Sequence, residues 1–220
     1  MEANFYFDKL YPLQDKALAL LSELDTGFYL TGGTASARGY LQHRFSDDLD
    51  FFVNHDERFQ LWAELCTDAL AGVGDWQLQV VRKDVRFLRL VLDQNDTSLR
   101  VEFINDVPAR VGDIRQHPIL GRLDSPENIL ANKVTAALDR AAAKDLADIW
   151  GFCTRMGLSL EEAITNAHSK AAGIFAPDLA RVLLSATEED WQQVRWWQGP
   201  SLEQFLGDLR VLGERLIYVV

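Results

Sequence analysis

Phe28-Tyr29-Leu30-Thr31-Gly32-Gly33-Thr34, followed after a short linker by Ser46-Asp47-Asp48-Leu49-Asp50-Phe51-Phe52-Val53, is the stretch on which the fold turns. An apolar, β-type run ends in two glycines. A second apolar run then carries Asp48 and Asp50 at i and i+2, a spacing that on a strand puts both carboxylates on one face. Two like charges held side by side are costly unless they lie in water or share a cation. A Gly-Gly turn at a helix start exposes backbone N–H groups suited to a phosphate. The stretch therefore reads either as a tight turn beside a solvated strand edge or as a metal-and-phosphate site.

Working outward, Leu13, Ala17, Leu20, Leu21 and Leu24 recur at helical spacing after Pro12, with Asp8 as the expected cap. Residues 28–31 form the first strand. The glycines let the backbone turn sharply, and Thr34 is expected to cap a helix running to about His43. Residues 48–53 form the second strand, and residues 56–71 a helix ended by Gly72 and Gly74. Strands over 76–81, 85–92 and 98–104 follow, separated by Arg82-Lys83-Asp84 and by Asp93-Gln94-Asn95-Asp96. The simplest topology for them is an antiparallel meander. In the last of these strands Val101 and Phe103 share one face, Arg100 and Glu102 the other.

Residues 105–124 hold Pro108, Gly112, Pro118 and Gly121 and make the expected boundary between two domains, 1–122 and 123–220. Beyond it the pattern is helical. Ser125-Pro126-Glu127 is a strong start signal, and no Gly or Pro interrupts the chain from there to Trp150. Ser159 with Glu162 forms a capping box, Pro177 opens a helix ending near Ala186, and Ser201 with Gln204 opens a last one. The fold class is α+β: a mixed sheet flanked by helices, then a C-terminal helical bundle.

Of the 220 residues 48% are hydrophobic and 25% charged, which is ordinary globular usage. No apolar run is long enough to span a membrane and no secretory leader is visible, so the expectation is a cytoplasmic protein without membrane contact. Cys66 and Cys153 lie far apart and read as reduced thiols, and four scattered histidines leave no zinc spacing. The net charge of −11 is spread over both halves. That argues against broad non-specific nucleic-acid affinity, which needs clustered Lys and Arg, but leaves room for a local basic groove.

Adjacent carboxylates without histidine or thiolate suit a hard divalent ion such as Mg²⁺. Glu102 is the candidate third carboxylate, acting as a ligand or base; its bland alternative is an ion pair with Arg100. Downstream, Lys133, Ala137, Arg140, Lys144 and Asp148 fall on one helical stripe, with cations that suit a triphosphate. The alternative is a solvated face with internal pairs along Arg140, Lys144 and Asp148. Asp145 lies about 120° from Lys133 on an unbroken helix, so the helix must bend, or Asp145 act from its flank, if both serve one site. Trp191, Trp196 and Trp197 are either core or a partner surface.

Gly32-Gly33-Thr34, Arg44-x-Ser46-x-Asp48-Leu49-Asp50-Phe51 and Lys133-x-x-x-Ala137-x-x-Arg140-x-x-x-Lys144-Asp145-x-x-Asp148 together resemble the successive motifs of the nucleotidyltransferase AbiEii/AbiGii toxin family, within the DNA polymerase β-like nucleotidyltransferase fold. The resemblance covers about residues 25–150. It implies an NTP substrate, two Mg²⁺ ions with Mn²⁺ as an alternative, an acceptor that can be tRNA, and a cognate antitoxin. It further implies that Asp48 and Asp50 hold the metals, that Gly32, Gly33 and Thr34 cradle the phosphates, and that Ser46 and Arg44 contact the nucleotide or brace the loop. Lys133 would meet the triphosphate, and Asp145 would take the acidic position of the late motif. Lys144 stands where arginine is common in the family, and nothing after Trp150 matches. The alternatives are transfer to a small molecule such as an antibiotic, and a non-catalytic nucleotide-binding module.

Overall fold

The structure, a computed structural model, describes residues 2–218. The chain divides into two compact units that are not consecutive in sequence. The first takes residues 1–35, 46–108 and 113–124, the second residues 36–45, 109–112 and 125–220.

The first unit is built on a seven-stranded mixed sheet: β1 (Tyr29–Thr31), β2 (Leu49–Asn54), β3 (Gln77–Asp84), β4 (Phe87–Gln94), β5 (Thr97–Asp106), β6 (Arg115–His117) and β7 (Gly121–Leu123), in the order β3-β4-β5-β2-β1-β7-β6. Strands β3, β4 and β5 form the expected antiparallel meander. Strand β5 pairs parallel with β2, and β2 antiparallel with β1. Alternation separates the faces. Leu49, Phe51, Val53, Leu88, Leu90, Leu92, Leu99, Val101 and Phe103 are buried, while Asp50, Arg89, Arg100 and Glu102 occupy the opposite positions. The apolar face is joined by α2 (Tyr11–Ser22), through Leu13, Ala17, Leu18 and Leu21, and by α4 (Phe59–Ala71), whose Phe59 and Trp62 meet Phe28 edge-on.

Several local expectations are corrected. Asp8 does not cap α2: helix α1 (Glu2–Phe5) and a π-helical stretch (Tyr6–Leu10) already precede it, and Leu10 stands at the cap position. Thr34 is no cap either, because the short helical turn α3 (Gly32–Thr34) begins two residues earlier and continues into a second π-helical stretch, Ala35–Leu41. Arg82-Lys83-Asp84 belongs to β3 rather than to a turn. Strand β3 is an edge strand on which polar side chains find water and partners, with Lys83 3.0 Å from Glu64 of α4. Residues 113–124 are not linker, since β6 and β7 form a hairpin and β7 pairs with β1.

The second unit is helical: α5 (Pro126–Arg140), α6 (Ala143–Thr154), α7 (Leu160–His168), α8 (Ala176–Leu184), α9 (Glu188–Gln193) and α10 (Leu202–Tyr218). Ser125 caps α5 as its sequence predicts, accepting from the Asn128 N–H at 3.1 Å. Ser159 caps α7 by accepting from the Glu162 N–H, and its hydroxyl donates to Glu161. Helix α9, with a capping box of Thr187 and Asp190, was not foreseen. Trp196 packs against Trp150, Trp191, Phe205 and His43 and is half-buried. Trp197 is partly exposed and stacks on Phe45.

The largest correction concerns residues 126–150. These are two helices, not one. Ala141 adopts a left-handed conformation (φ 45°) that ends α5, and α6 starts at Ala143. No glycine marks the break, and a non-glycine residue there costs about 1–2 kcal/mol. Ion pairs across the break, described below, offset that cost.

Candidate active site

In the first unit the site begins with the turn after β1. Gly32 sits at φ +65°, and a Cβ added there would lie 2.3 Å from Asp50 Oδ2. Only glycine fits: the backbone conformation and the Asp50 carboxylate beside it both exclude a side chain. The hydroxyl of Thr34 approaches Ser46 Oγ (3.1 Å) and the Asp48 carbonyl, tying the turn to the approach to β2. Gln14 of α2 donates to the carbonyls of Ser46 and Asp47, and Tyr6 donates to the Asp47 carboxylate. The Ser46-to-Asp48 segment is thus held from three sides.

Strand register aligns a polar row across the sheet. Thr31 on β1 faces Asp50 on β2, Asp50 faces Glu102 on β5, and Glu102 faces Arg89 on β4. Thr31 donates to buried Asp124 at 2.7 Å. The Glu102 carboxylate is 2.8 Å from Arg89 Nε and 3.4 Å from Arg100 Nε, and the Arg100 guanidinium also bonds to Asp48. Burial works against the charge on Arg100, yet Asp48, Glu102 and Asp50 outweigh it and raise its pKa. Sequence reasoning placed Arg100 only in a local pair with Glu102; its contact with Asp48 depends on the β2–β5 register.

Whether these residues suit a metal is decided by their donor chemistry. Asp48 and Asp50 supply hard oxygen atoms, and Mg²⁺ is held by one or two carboxylates with substrate phosphates and water completing its shell. Among the described residues no three Asp, Glu, His or Cys side chains are close enough to share an ion. The set therefore fits an ion that brings phosphate ligands with it, and does not form an all-protein cage.

The second unit holds a separate buried ionic cluster. Lys133 of α5 lies 2.9 Å from Asp145 and 2.7 Å from Asp148, both on α6. Arg44 grips Asp148 with two parallel bonds of 2.8 Å, and Arg140 reaches Asp145 at 2.8 Å. His43 Nε2 is 3.0 Å from Asp148, and its Nδ1 has no hydrogen-bond partner among the described residues. Burial holds His43 below its ordinary pKa, so it is neutral and donates from Nε2. Burial opposes the charges on Lys133, Asp145 and Asp148 too, but their mutual attraction prevails. It raises Lys133 and lowers both carboxyls, Asp148 well below the usual range.

The helix break makes this cluster. Asp145 and Asp148 meet Lys133 because α6 restarts after Ala141, the bend that the spacing required if Lys133 and Asp145 were to act together. Lys144 is exposed on α6, while Arg140 pairs with Asp145 and Asp148 pairs with Lys133 and Arg44. Arg44 is engaged with Asp148 and the Phe45 carbonyl inside the helical unit. His43, scattered by its position in the sequence, was missed; its only signal was adjacency to Arg44.

Cys66 and Cys153 are free thiols, each pushed by burial up to about 12. No described helix is long and apolar enough to cross a membrane.

Residues 16–198 match the family described as nucleotidyl transferase AbiEii toxin, type IV toxin–antitoxin system. No curated protein sequence matches the chain. Among solved structures, MenT4, a nucleotidyltransferase toxin from Mycobacterium tuberculosis H37Rv, is similar with a TM-score of 0.68 at 19% identity, over 96% of this chain and 84% of that one. JHP933 from Helicobacter pylori is similar with a TM-score of 0.66 at 19% identity, over 98% and 92%. At these identities the likeness is one of fold. The family match covers most of the chain and carries the activity: the substrate is an NTP, and the counterpart is an antitoxin. The chain belongs to the AbiEii nucleotidyltransferase toxin family of type IV toxin–antitoxin systems.

Proposed function

We propose that this toxin transfers a nucleoside monophosphate from an NTP to a hydroxyl of tRNA in the cytoplasm, using Mg²⁺ held by Asp48 and Asp50. The observation that carries the reading is the contact between the Gly32 turn and the Asp50 carboxylate, which puts a phosphate-type turn and a metal-type ligand side by side within one unit. The acceptor oxygen would attack the α-phosphorus, the bond from that phosphorus to the bridging oxygen of the β-phosphate would break, and pyrophosphate would leave with the electron pair. The divalent ion, when bound, supplies charge neutralisation at the phosphates. Gly32, Gly33 and Thr34 would cradle phosphate oxygens, Ser46 would brace the turn, and Glu102, on the same sheet face, would take the acceptor proton. For Lys133, Arg140, Lys144 and Asp145 a role toward the triphosphate is the expectation carried by the family motif. Within their own unit, Asp145 and Asp148 keep Lys133 charged.

Incubation with each α-phosphate-labelled NTP, tRNA and candidate small acceptors tests the reading. Label on tRNA is the expected result. Label on a small molecule instead would favour the alternative acceptor, which the net charge of −11 makes the natural competitor. Label on neither, with NTP and metal bound, would overturn both.

A further inference from the structure

The cation that lies among the proposed metal carboxylates belongs to the protein itself. Arg100 stands on β5 one position before Val101, the register partner of Leu49, and so reaches across to Asp48, which precedes Leu49. Its guanidinium bonds to Asp48, its Nε lies 3.4 Å from Glu102, and Asp50 adds to the field holding it. Two carboxylates contact one guanidinium. The side chain is 44% exposed and borders solvent. Glu102 has a second partner in Arg89 at 2.8 Å and would stay paired if Arg100 moved away.

We propose that Arg100 is a resident counter-cation of Asp48 and Glu102, giving up Asp48 to the divalent ion only when that ion arrives with the phosphates of the nucleotide. A bare dication entering alone would have to expel a monocation from its carboxylates and then remain beside it, a repulsive arrangement. With an NTP present the expelled guanidinium gains phosphate oxygens, which suit its planar fork. Metal and nucleotide then bind cooperatively, each tightening the other by the same factor. Arg100 is thus a positioning residue that links the two ligands, and the toxin does not load metal by itself. The inference rests on the assignment of Asp48 and Asp50 as metal ligands.

The test measures Mn²⁺ affinity of the full chain by calorimetry or electron paramagnetic resonance, without and with an NTP analogue whose α,β-bridge cannot be cleaved. In the wild type the analogue should tighten Mn²⁺ binding about tenfold or more. Arg100→Gln should tighten nucleotide-free Mn²⁺ binding about tenfold and shrink that coupling accordingly, whereas Arg100→Lys should stay close to wild type. If Arg100 only braces the strands, Arg100→Gln lowers the melting temperature and leaves Mn²⁺ affinity unchanged, and the proposal fails. Coupling near one in the wild type overturns it without any variant. Mn²⁺ binding that survives Asp50→Asn overturns the metal assignment itself, and with it this inference.

Discussion

Gly32→Ala separates damage to the site from damage to the fold. At φ +65° an L-residue costs about 1–2 kcal/mol, and a chain of this size loses about 2–4 °C in melting temperature per kcal/mol. Sterics add a directed effect. The new Cβ would sit 2.3 Å from Asp50 Oδ2, and ordinary contact begins near 3.4 Å, so the carboxylate has to retreat by about 1 Å. A displacement of that size in a reacting group costs about a hundredfold in rate. The expected outcome is a melting temperature a few degrees lower together with a roughly hundredfold loss of nucleotidyl transfer. Gly157→Ala is the control, since Gly157 has φ +67° but nothing within 4 Å of an added Cβ. It should lose similar stability and keep its activity. Thermal melting and transfer of α-phosphate label, measured on both variants below their melting range, decide the matter. Gly32→Ala with activity within about threefold of wild type would refute the reasoning that the Asp50 carboxylate needs this turn.

Removing Lys133 leaves two buried carboxylates short of a cation, so Lys133→Met should destabilise the chain by about 3 kcal/mol in denaturant unfolding, softened by the remaining Arg44 and Arg140. A loss under about 1 kcal/mol would show that the cluster does not rest on Lys133. His43 titrates below its ordinary pKa in the folded chain, so below about pH 6.5 the unfolded state binds the proton first and stability falls with falling pH. His43→Gln should flatten that slope by up to about 1.4 kcal/mol per pH unit between about pH 5 and 6.5, and an unchanged slope would place the acid sensitivity elsewhere. Ala141→Gly should relieve left-handed strain and raise stability by up to about 1 kcal/mol; a loss would mean that the break is not strained.

What the sequence disclosed follows from which forces are local. Asp48, Asp50 and Glu102 were placed on one sheet face because period-two alternation is a property of any strand. The antiparallel meander was legible from the short polar break before Thr97, whereas the break between β3 and β4 lies at Val85-Arg86, beyond the polar run that suggested it. The family motifs carried the activity, which spacing alone would not have named. The α5–α6 break was not legible. No Gly or Pro marks it, and the chain bends because Lys133 and Arg140 find Asp145 and Asp148 after the bend, an energy that exists only in the folded state. Arg82-Lys83-Asp84 looked like a turn because an exposed edge strand tolerates a polar sequence. The π-helical stretches, the assignment of residues 36–45 and 109–112 to the helical unit, and the reach of Arg100 to Asp48 all depend on contacts distant in sequence.

Asp50 is the residue on which the proposed chemistry depends most directly. Transfer of α-phosphate label from NTP to acceptor by Asp50→Asn, compared with wild type at equal folded fraction and in the presence of Mg²⁺, should fall by at least about a thousandfold, because charge neutralisation by the ion is worth several kcal/mol at the transition state. Expression of that variant should no longer arrest growth. Activity within about tenfold of wild type, or unchanged toxicity, would contradict the claim that this carboxylate pair is the catalytic metal site.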